Sequence, residues 1–209
     1  MANILLGVTG SVAAIRVPAI FDALVASGHE VKVVATDAAT YFFDPAAING
    51  QIVRDSDEWP GDRYERGDTV QHIELRKWAD LFAIAPLDAN TLAKLAVGLC
   101  DNCLTCVWRA WDLSKPVVLA PAMNTLMWQH PFTRRHLKSI AADFGAAHVP
   151  MHLDDQQLIA QINDRSKSLR IVSPVVKTLA CGDEGIGALA SVDTIVAAIN
   201  DVLGRAAAA

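Results

Sequence analysis

The residue types that could do chemistry are an asparagine, a histidine, a cysteine and a glycine–serine turn. Lys115-Pro-Val-Val-Leu-Ala120 is an apolar run after a proline and reads as a buried parallel strand. Pro121 stops it, and Asn124-Thr125 are helix-capping types ahead of apolar Leu126-Met127-Trp128. Asn124 is therefore expected at the carboxyl end of a strand beside a helix start, where open α/β sheets bind ligands. Its carboxamide can donate to a carboxylate without bringing a charge of its own. It can equally be a helix cap and nothing more, and position alone does not choose. Near the N-terminus, Gly7-Val-Thr-Gly10-Ser11 lacks the G-x-G-x-x-G of dinucleotide binders. It is a short turn that places backbone N–H groups and a hydroxyl at a helix start, which suits a single phosphate better than a pyrophosphate. Thr36 could serve the same ligand. Leu87-Asp-Ala-Asn-Thr91 is a second polar turn, and Ala85-Pro86 precedes it as Ala120-Pro121 precedes Asn124. His72 lies in Val70–Leu75, which alternates apolar and polar residues; a lone histidine of this kind is ordinarily structural. Cys181 sits in Leu179-Ala-Cys-Gly-Asp-Glu-Gly-Ile-Gly-Ala188, where clustered glycines signal a mobile flap.

Positioning these residues calls for a doubly wound, mostly parallel α/β sheet in a three-layer, flavodoxin- or Rossmann-like sandwich. Asn3–Thr9 reads as a strand, Val12–Ser27 as a helix and His29–Ala35 as a strand, a βαβ unit with Gly28 as the helix stop. Pro18 should kink that helix or delay its start. Residues 44 to 69 are a polar excursion with a short edge strand at Gln51–Arg54. Trp78–Pro86 is expected as a buried strand ended by its proline, Leu92–Leu99 and Pro131–Phe144 as helices, and Ala146–Val149 as a further short strand. Leu158, Ile159 and Ile162 suggest an amphipathic helix in an otherwise polar stretch. Arg170–Ser173 is a strand, and Ser191 caps a last helix whose end, Arg205–Ala209, should fray. The two Ala-Pro strand ends, Gly10-Ser11 and Thr36 would then line one crevice.

The 209 residues, 52% of them hydrophobic, fit a single domain over the whole chain. A net charge of −5 with no stripe of lysine and arginine argues against a nucleic-acid surface. No apolar run approaches the ~20 residues of a membrane span. The apolar N-terminus lacks a basic start and is broken by Arg16, so it reads as strand and helix rather than signal peptide. A cytoplasmic protein is the expectation. Cys100, Cys103 and Cys106 form C-x2-C-x2-C, but Asn102–Trp111 looks helical and apolar, and the three thiols are expected buried on one face. His148, His152 and Asp154 read as surface residues, and no metal is expected.

Together these stretches resemble the homo-oligomeric flavin-containing cysteine decarboxylases, in the branch that acts on phosphopantothenoylcysteine in coenzyme A biosynthesis. The matching residues are Val8–Ala14, Asp57-Glu-Trp59, His72–Arg76 with Trp78–Asp80, Ala85–Thr91, Gly98–Asn102, Arg109–Asp112, Pro121–Trp128, and Ala180–Asp183 with Gly185-x-Gly-Ala188. The Pro-Ala-Met-Asn-x-x-Met-Trp motif is the most specific of them. The resemblance implies FMN bound between subunits of a homotrimer, its phosphate at Gly10, Ser11, Val12 and Thr36, its ring near Asp88, Ala89, Asn90, Thr91 and Ala122. It implies His72, Asn124 and Cys181 as catalytic residues, with Asn124, Met127 and Ala180 binding substrate. Loss of CO2 directly from a cysteine-derived carboxylate would leave an unstabilised carbanion. Oxidation of the CH2–SH group to a thioaldehyde, with FMN as electron acceptor, places the carboxylate β to a C=S that can take the electrons. Asn124 would orient the carboxylate, His72 would handle a proton, and Cys181 would protonate the ene-thiolate as the electrons return, giving 4′-phosphopantetheine.

Three positions depart from the pattern: Lys77 where a second arginine is common, Leu189 where a methionine is usual, and Cys103 in place of an apolar residue. The segment at about 147–169 matches nothing in the family pattern and is expected as a surface excursion or an extension of a substrate lid beside the flap at about 177–190. Two other functions compete. A peptidyl-cysteine decarboxylase would stop at the ene-thiol and generally lacks the flap cysteine. A phosphatase-regulating relative may carry a long acidic tail and lack a catalytic residue.

Overall fold

The computed structural model describes residues 1–63, 65–150, 153–178 and 184–208. Six parallel strands form the central sheet: β1 (Asn3–Val8), β2 (Glu30–Ala35), β3 (Ile52–Val53), β4 (Leu81–Leu87), β5 (Val117–Pro121) and β6 (Leu169–Ile171). Their order is β3-β2-β1-β4-β5-β6. The chain winds outward from β1, returns to lay β4 against the other side of β1, and winds out again. Crossovers diverge between β1 and β4, opening a crevice at the strands' carboxyl ends.

Apolar residues cover both faces of the sheet, as its near-continuous hydrophobic strands require. Along β1, Leu5 joins one core while Ile4, Leu6 and Val8 join the other. The second core is closed by α1 (Val17–Ala26) and α9 (Val192–Ala208). The first is closed by α3 (Gln71–Trp78), α4 (Ala89–Val97), α5 (Cys103–Arg109), α7 (Pro131–Asp143) and α8 (Asp155–Arg165). Two short helices, α2 (Asp55–Glu58) and α6 (Thr125–Gln129), lie in the loops. A separate antiparallel hairpin, β7 (Val175–Thr178) with β8 (Glu184–Ala188), precedes α9.

Several expectations need correction. Val12–Arg16 is a 3-10 turn, not part of the helix; α1 starts at Val17 with Pro18 in its first turn, the delayed start expected of that proline, where a missing N–H costs nothing. Trp78 ends α3 instead of opening a strand, and Pro86 lies inside β4. The ladder between β4 and β5 shifts register between Ile84 and Leu87, and such an irregularity is where a sheet accommodates proline. Helix α4 begins at Ala89, three residues early, because the Asp88 carboxylate caps it by accepting the Thr91 N–H at 2.6 Å. Ala146–Val149, all among the described residues, pair with no strand, although Ala146 and Val149 are buried. Helix α9 continues through Ala208 without fraying at Arg205. The three thiols do not share a helix face: Cys100 is exposed and precedes α5, Cys103 is buried, and Cys106 is half-buried.

Helix α8 joins the sandwich layer itself. Leu158, Ile159 and Ile162 are 1%, 3% and 0% exposed. At about 1.5–3 kcal/mol per buried side chain, such a helix is held as part of the core. Among the described residues, no helix is long and apolar enough to cross a membrane.

Candidate active site

A cavity of about 620 Å³ opens at the carboxyl ends of β1, β4 and β5. Each strand hands over to a short polar turn, and the turns are tied together. Thr9, wholly buried at the end of β1, donates its hydroxyl proton to the Pro86 carbonyl at 2.9 Å and accepts the Asp88 N–H at 2.7 Å. This strap fixes the β1 turn against the β4 turn. Gly10 follows; a Cβ there would stand 2.7 Å from the Ala38 side chain. Real Cβ contacts are not that short, so the turn needs its glycine to lie this close. The Ser11 hydroxyl accepts the Ala13 N–H at 3.3 Å and faces the cavity. At the end of β5, Asn124 caps α6, its Oδ1 accepting the Leu126 N–H at 2.8 Å.

The hairpin closes one side. Met123 donates its backbone N–H to the Gly187 carbonyl at 2.9 Å. Gly187 has φ +139, and a Cβ there would sit 2.3 Å from the Met123 carbonyl oxygen, so only glycine lets β8 seat on the β5 turn. Lys177, Gly187, Ala188 and Leu189 contribute to the lining. Leu189, where the family pattern has methionine, is buried and fills its place with an apolar side chain.

Of the residues singled out from sequence, Gly10, Ser11, Val12, Asp88, Ala89, Asn90, Ala122, Asn124 and Met127 line this one cavity. Thr36 and Thr91 do not. Thr36 is buried behind the wall, its hydroxyl accepting the Ala39 N–H at 3.2 Å, and Thr91 is buried in α4. Ala180 and Cys181 lie outside the described residues. His72 is described and does not line the cavity.

His72 instead belongs to a second cluster. The alternating stretch Val70–Leu75 is helical from Gln71, and His72 stands in the first turn of α3. Glu58, on α2, reaches it twice. Its Oε2 accepts the His72 backbone N–H at 2.9 Å, and its Oε1 lies 2.5 Å from His72 Nδ1. The Glu58 side chain is only 5% exposed, that of His72 23%. The Cys103 thiol donates to Glu58 Oε2 at 3.6 Å, and the Cys103 N–H donates to Asp55 Oδ1 at 2.9 Å. Burial and the Glu58 carboxylate push the Cys103 thiol well above the ordinary range for cysteine, so it is no nucleophile. Burial also raises the Asp55 carboxyl. Sequence reading gave Glu58 no role; the one signal was its place in Asp57-Glu-Trp59, inside a stretch that reads as surface excursion. Lys77 pairs with Glu74 at 3.0 Å on the exposed face of α3.

A flavoprotein family model matches residues 1–204. The chain belongs to the flavoprotein family. Mouse phosphopantothenoylcysteine decarboxylase is 45% identical over 97% of this chain and 88% of its own length. A solved PPC decarboxylase mutant complexed with pantothenoylaminoethenethiol is 39% identical, with a TM-score of 0.78 over 97% of this chain and 98% of its own. The solved FMN binding protein AtHal3 is 41% identical, with a TM-score of 0.73 over 95% of both chains. The cavity of this flavoprotein fits FMN on its own evidence. Its volume lies in the usual range for cofactor sites. Gly10 and Gly187 let the β1 turn and the hairpin pack closely enough to shape its walls. Ser11 and the start of the 3-10 turn offer donors to a phosphate, and Ala122, Met123 and Leu189 offer apolar wall to a ring.

Proposed function

We propose that the chain decarboxylates 4′-phosphopantothenoylcysteine to 4′-phosphopantetheine with FMN, in the cytoplasm, as a homotrimer. The observation that carries this reading is that Asn124 and the Gly10-Ser11 turn, far apart in sequence, face one cavity at the sheet's switch point. The relatives' names supply the substrate and the decarboxylation; the place in coenzyme A biosynthesis follows from the family resemblance.

FMN, when bound, would supply the two-electron oxidation of the substrate CH2–SH group and, once CO2 has left, would return the two electrons. The chain's residues do the rest. Gly10, Ser11 and Val12 hold the phosphate end, and Asp88, Ala89, Asn90 and Ala122 form the wall for the ring. Asn124, fixed by its cap bond, donates its amide to the substrate carboxylate. An uncharged donor orients that group without opposing its departure as CO2. Met127, 55% exposed at the cavity edge, packs on the substrate. His72 is assigned the proton transfer. Since it stands outside its own chain's cavity, the trimer is assigned the task of bringing it to a neighbour's. Exposed Val12, Ile15, Tyr41 and Leu126 favour such packing, because bare apolar side chains on this scale are commonly covered. Cys181 is assigned the final protonation, which separates this activity from one that stops at an ene-thiol.

The test is purification followed by incubation with 4′-phosphopantothenoylcysteine. A yellow protein that releases CO2 and yields a product of the mass of 4′-phosphopantetheine is expected. A colourless protein that takes up no FMN, or one inert toward this substrate, overturns the reading.

A further inference from the structure

We propose that Glu58 is the positioning residue for His72: its buried carboxylate fixes the imidazole with the proton on Nδ1 and leaves Nε2 as the atom that exchanges a proton with substrate. The proposal deepens the decarboxylase reading and rests on it for the identity of the reaction.

The argument begins with donors. A carboxylate only accepts hydrogen bonds. Glu58 Oε2 receives the His72 backbone N–H at 2.9 Å and the Cys103 thiol at 3.6 Å, which leaves Oε1, 2.5 Å from Nδ1, for the ring. The ring nitrogen must then carry a hydrogen. With backbone and ring of one residue held by the two oxygens of one carboxylate, the imidazole can neither rotate nor flip. Nε2, on the opposite edge, is the remaining acceptor. This is the arrangement by which an acidic partner sets the tautomer of a catalytic histidine.

Burial makes the hold firm. A 5%-exposed carboxylate exchanges few of its bonds with water. Helix α2 is itself tied to α5, because Asp55 accepts the Cys103 N–H at 2.9 Å, and its own start is closed where Asp57 Oδ2 accepts the Arg54 N–H at 2.7 Å. The contact also has a plain structural use, since Val70 before α3 has no side-chain oxygen to cap the helix and Glu58 takes one of its first N–H groups. The experiment must separate capping from positioning.

Glu58→Gln does so. Its carbonyl oxygen belongs at the Oε2 position, where two protein donors need an acceptor. Its NH2 group then faces Nδ1 and donates to it, driving the ring proton to Nε2. Volume and helix cap are kept while the tautomer is reversed. Holoenzyme carrying ¹⁵N-histidine is examined by NMR for the protonated ring nitrogen of His72, assigned by its loss in His72→Asn. The wild type should show Nδ1–H and Glu58→Gln should show Nε2–H, with FMN content and melting temperature unchanged. In steady state, kcat for Glu58→Gln should fall by about 100-fold or more, the scale of a mispositioned acid–base group, with KM within about threefold. Glu58→Ala, which opens room for a small carboxylate, should regain at least tenfold in kcat with saturating formate, whereas His72→Asn should regain nothing. Retention of Nδ1–H in Glu58→Gln, a kcat within threefold of wild type, or failure of formate to restore folded Glu58→Ala would each overturn the proposal. If wild type turns over no 4′-phosphopantothenoylcysteine, the decarboxylase reading falls, while the NMR result still decides what Glu58 does to His72.

Discussion

Asn124→Asp separates a capping asparagine from one that binds a carboxylate. The Oδ1 atom of Asn124 caps α6 at 2.8 Å from the Leu126 N–H, and an aspartate keeps that oxygen. Aspartate and asparagine are equivalent caps, so the cost to folding should stay within about 0.5 kcal/mol. What changes is the other arm of the carboxamide, from a donor to a second, charged acceptor, on a residue that lines the cavity. A substrate carboxylate about 4 Å away would meet a like charge at an effective dielectric near 20, a repulsion of about 4 kcal/mol. At about 1.36 kcal/mol per decade this is about a thousandfold. Arg16 and Lys177 also line the cavity and will offset part of it, so kcat/KM should fall by between about 100- and 1,000-fold. The assay is CO2 release from 4′-phosphopantothenoylcysteine, with FMN occupancy from absorbance and melting temperature as controls. Asn124→Ala should differ in kind, losing about 1 kcal/mol of helix capping along with the donor. Turnover by Asn124→Asp within tenfold of wild type would show that Asn124 is a cap alone.

Gly187→Ala should lift β8 from the β5 turn, because the new Cβ would meet the Met123 carbonyl oxygen at 2.3 Å. Strain of this kind costs about 1–3 kcal/mol; the hairpin is separate from the six-stranded sheet, so KM should rise about tenfold or more while the melting temperature stays near wild type. Iodoacetamide at pH 7.5 should label exposed Cys100 well before Cys106, whose thiol burial raises to about 11, and before buried Cys103; peptide mapping that finds Cys103 modified in folded protein would contradict the burial described here. Cys181→Ser should bind FMN, release CO2 once and accumulate a product two hydrogens short of 4′-phosphopantetheine, because a serine hydroxyl is too weak an acid for the last protonation; fully reduced product at the wild-type rate would remove Cys181 from the mechanism.

The half of the site at the strand ends was legible because its signals are local. A buried strand, a proline and a capping residue occur within a few positions, and the same few positions form the turn. Gly10, Asp88 and Asn124 could therefore be placed together once a doubly wound sheet was inferred. What was missed depends on contacts that sequence distance hides. Thr9 looks like the last residue of a strand, yet its hydroxyl ties two turns 77 residues apart. Pro86 reads as a strand end because proline removes a ladder bond, but the register shift beside it lets β4 continue to Leu87. Val70–Leu75 alternates as a strand would, and becomes helical because only Leu75 of that stretch is buried and the polar residues around it face outward or toward Glu58. The cysteine triplet misled through its spacing: α5 starts at Cys103, so Cys100 never enters the helix.

Glu58 shows why polar excursions are hard to read. Residues 44–69 carry few apolar side chains, and composition alone marks them as surface. Yet the excursion spends two of its carboxylates inside the protein, Asp55 on the first N–H of α5 and Glu58 on the first turn of α3. Each helix begins with N–H groups that its own backbone cannot satisfy, so each offers a place to anchor a loop that lacks a hydrophobic core. The anchor at α3 happens to be the backbone of His72, and the same carboxylate that satisfies the helix also reaches the ring. Stability of the excursion and orientation of the histidine are therefore one interaction. A change that loosens α2 without touching Glu58, such as Asp55→Ala, which removes the acceptor of the Cys103 N–H, should disturb His72 through the shared tether and shift its ring ¹⁵N signals. A histidine carried on a half-exposed helix is held in one orientation only if a dry acceptor stands behind it, and in this fold a loop, not the sheet, is what brings one.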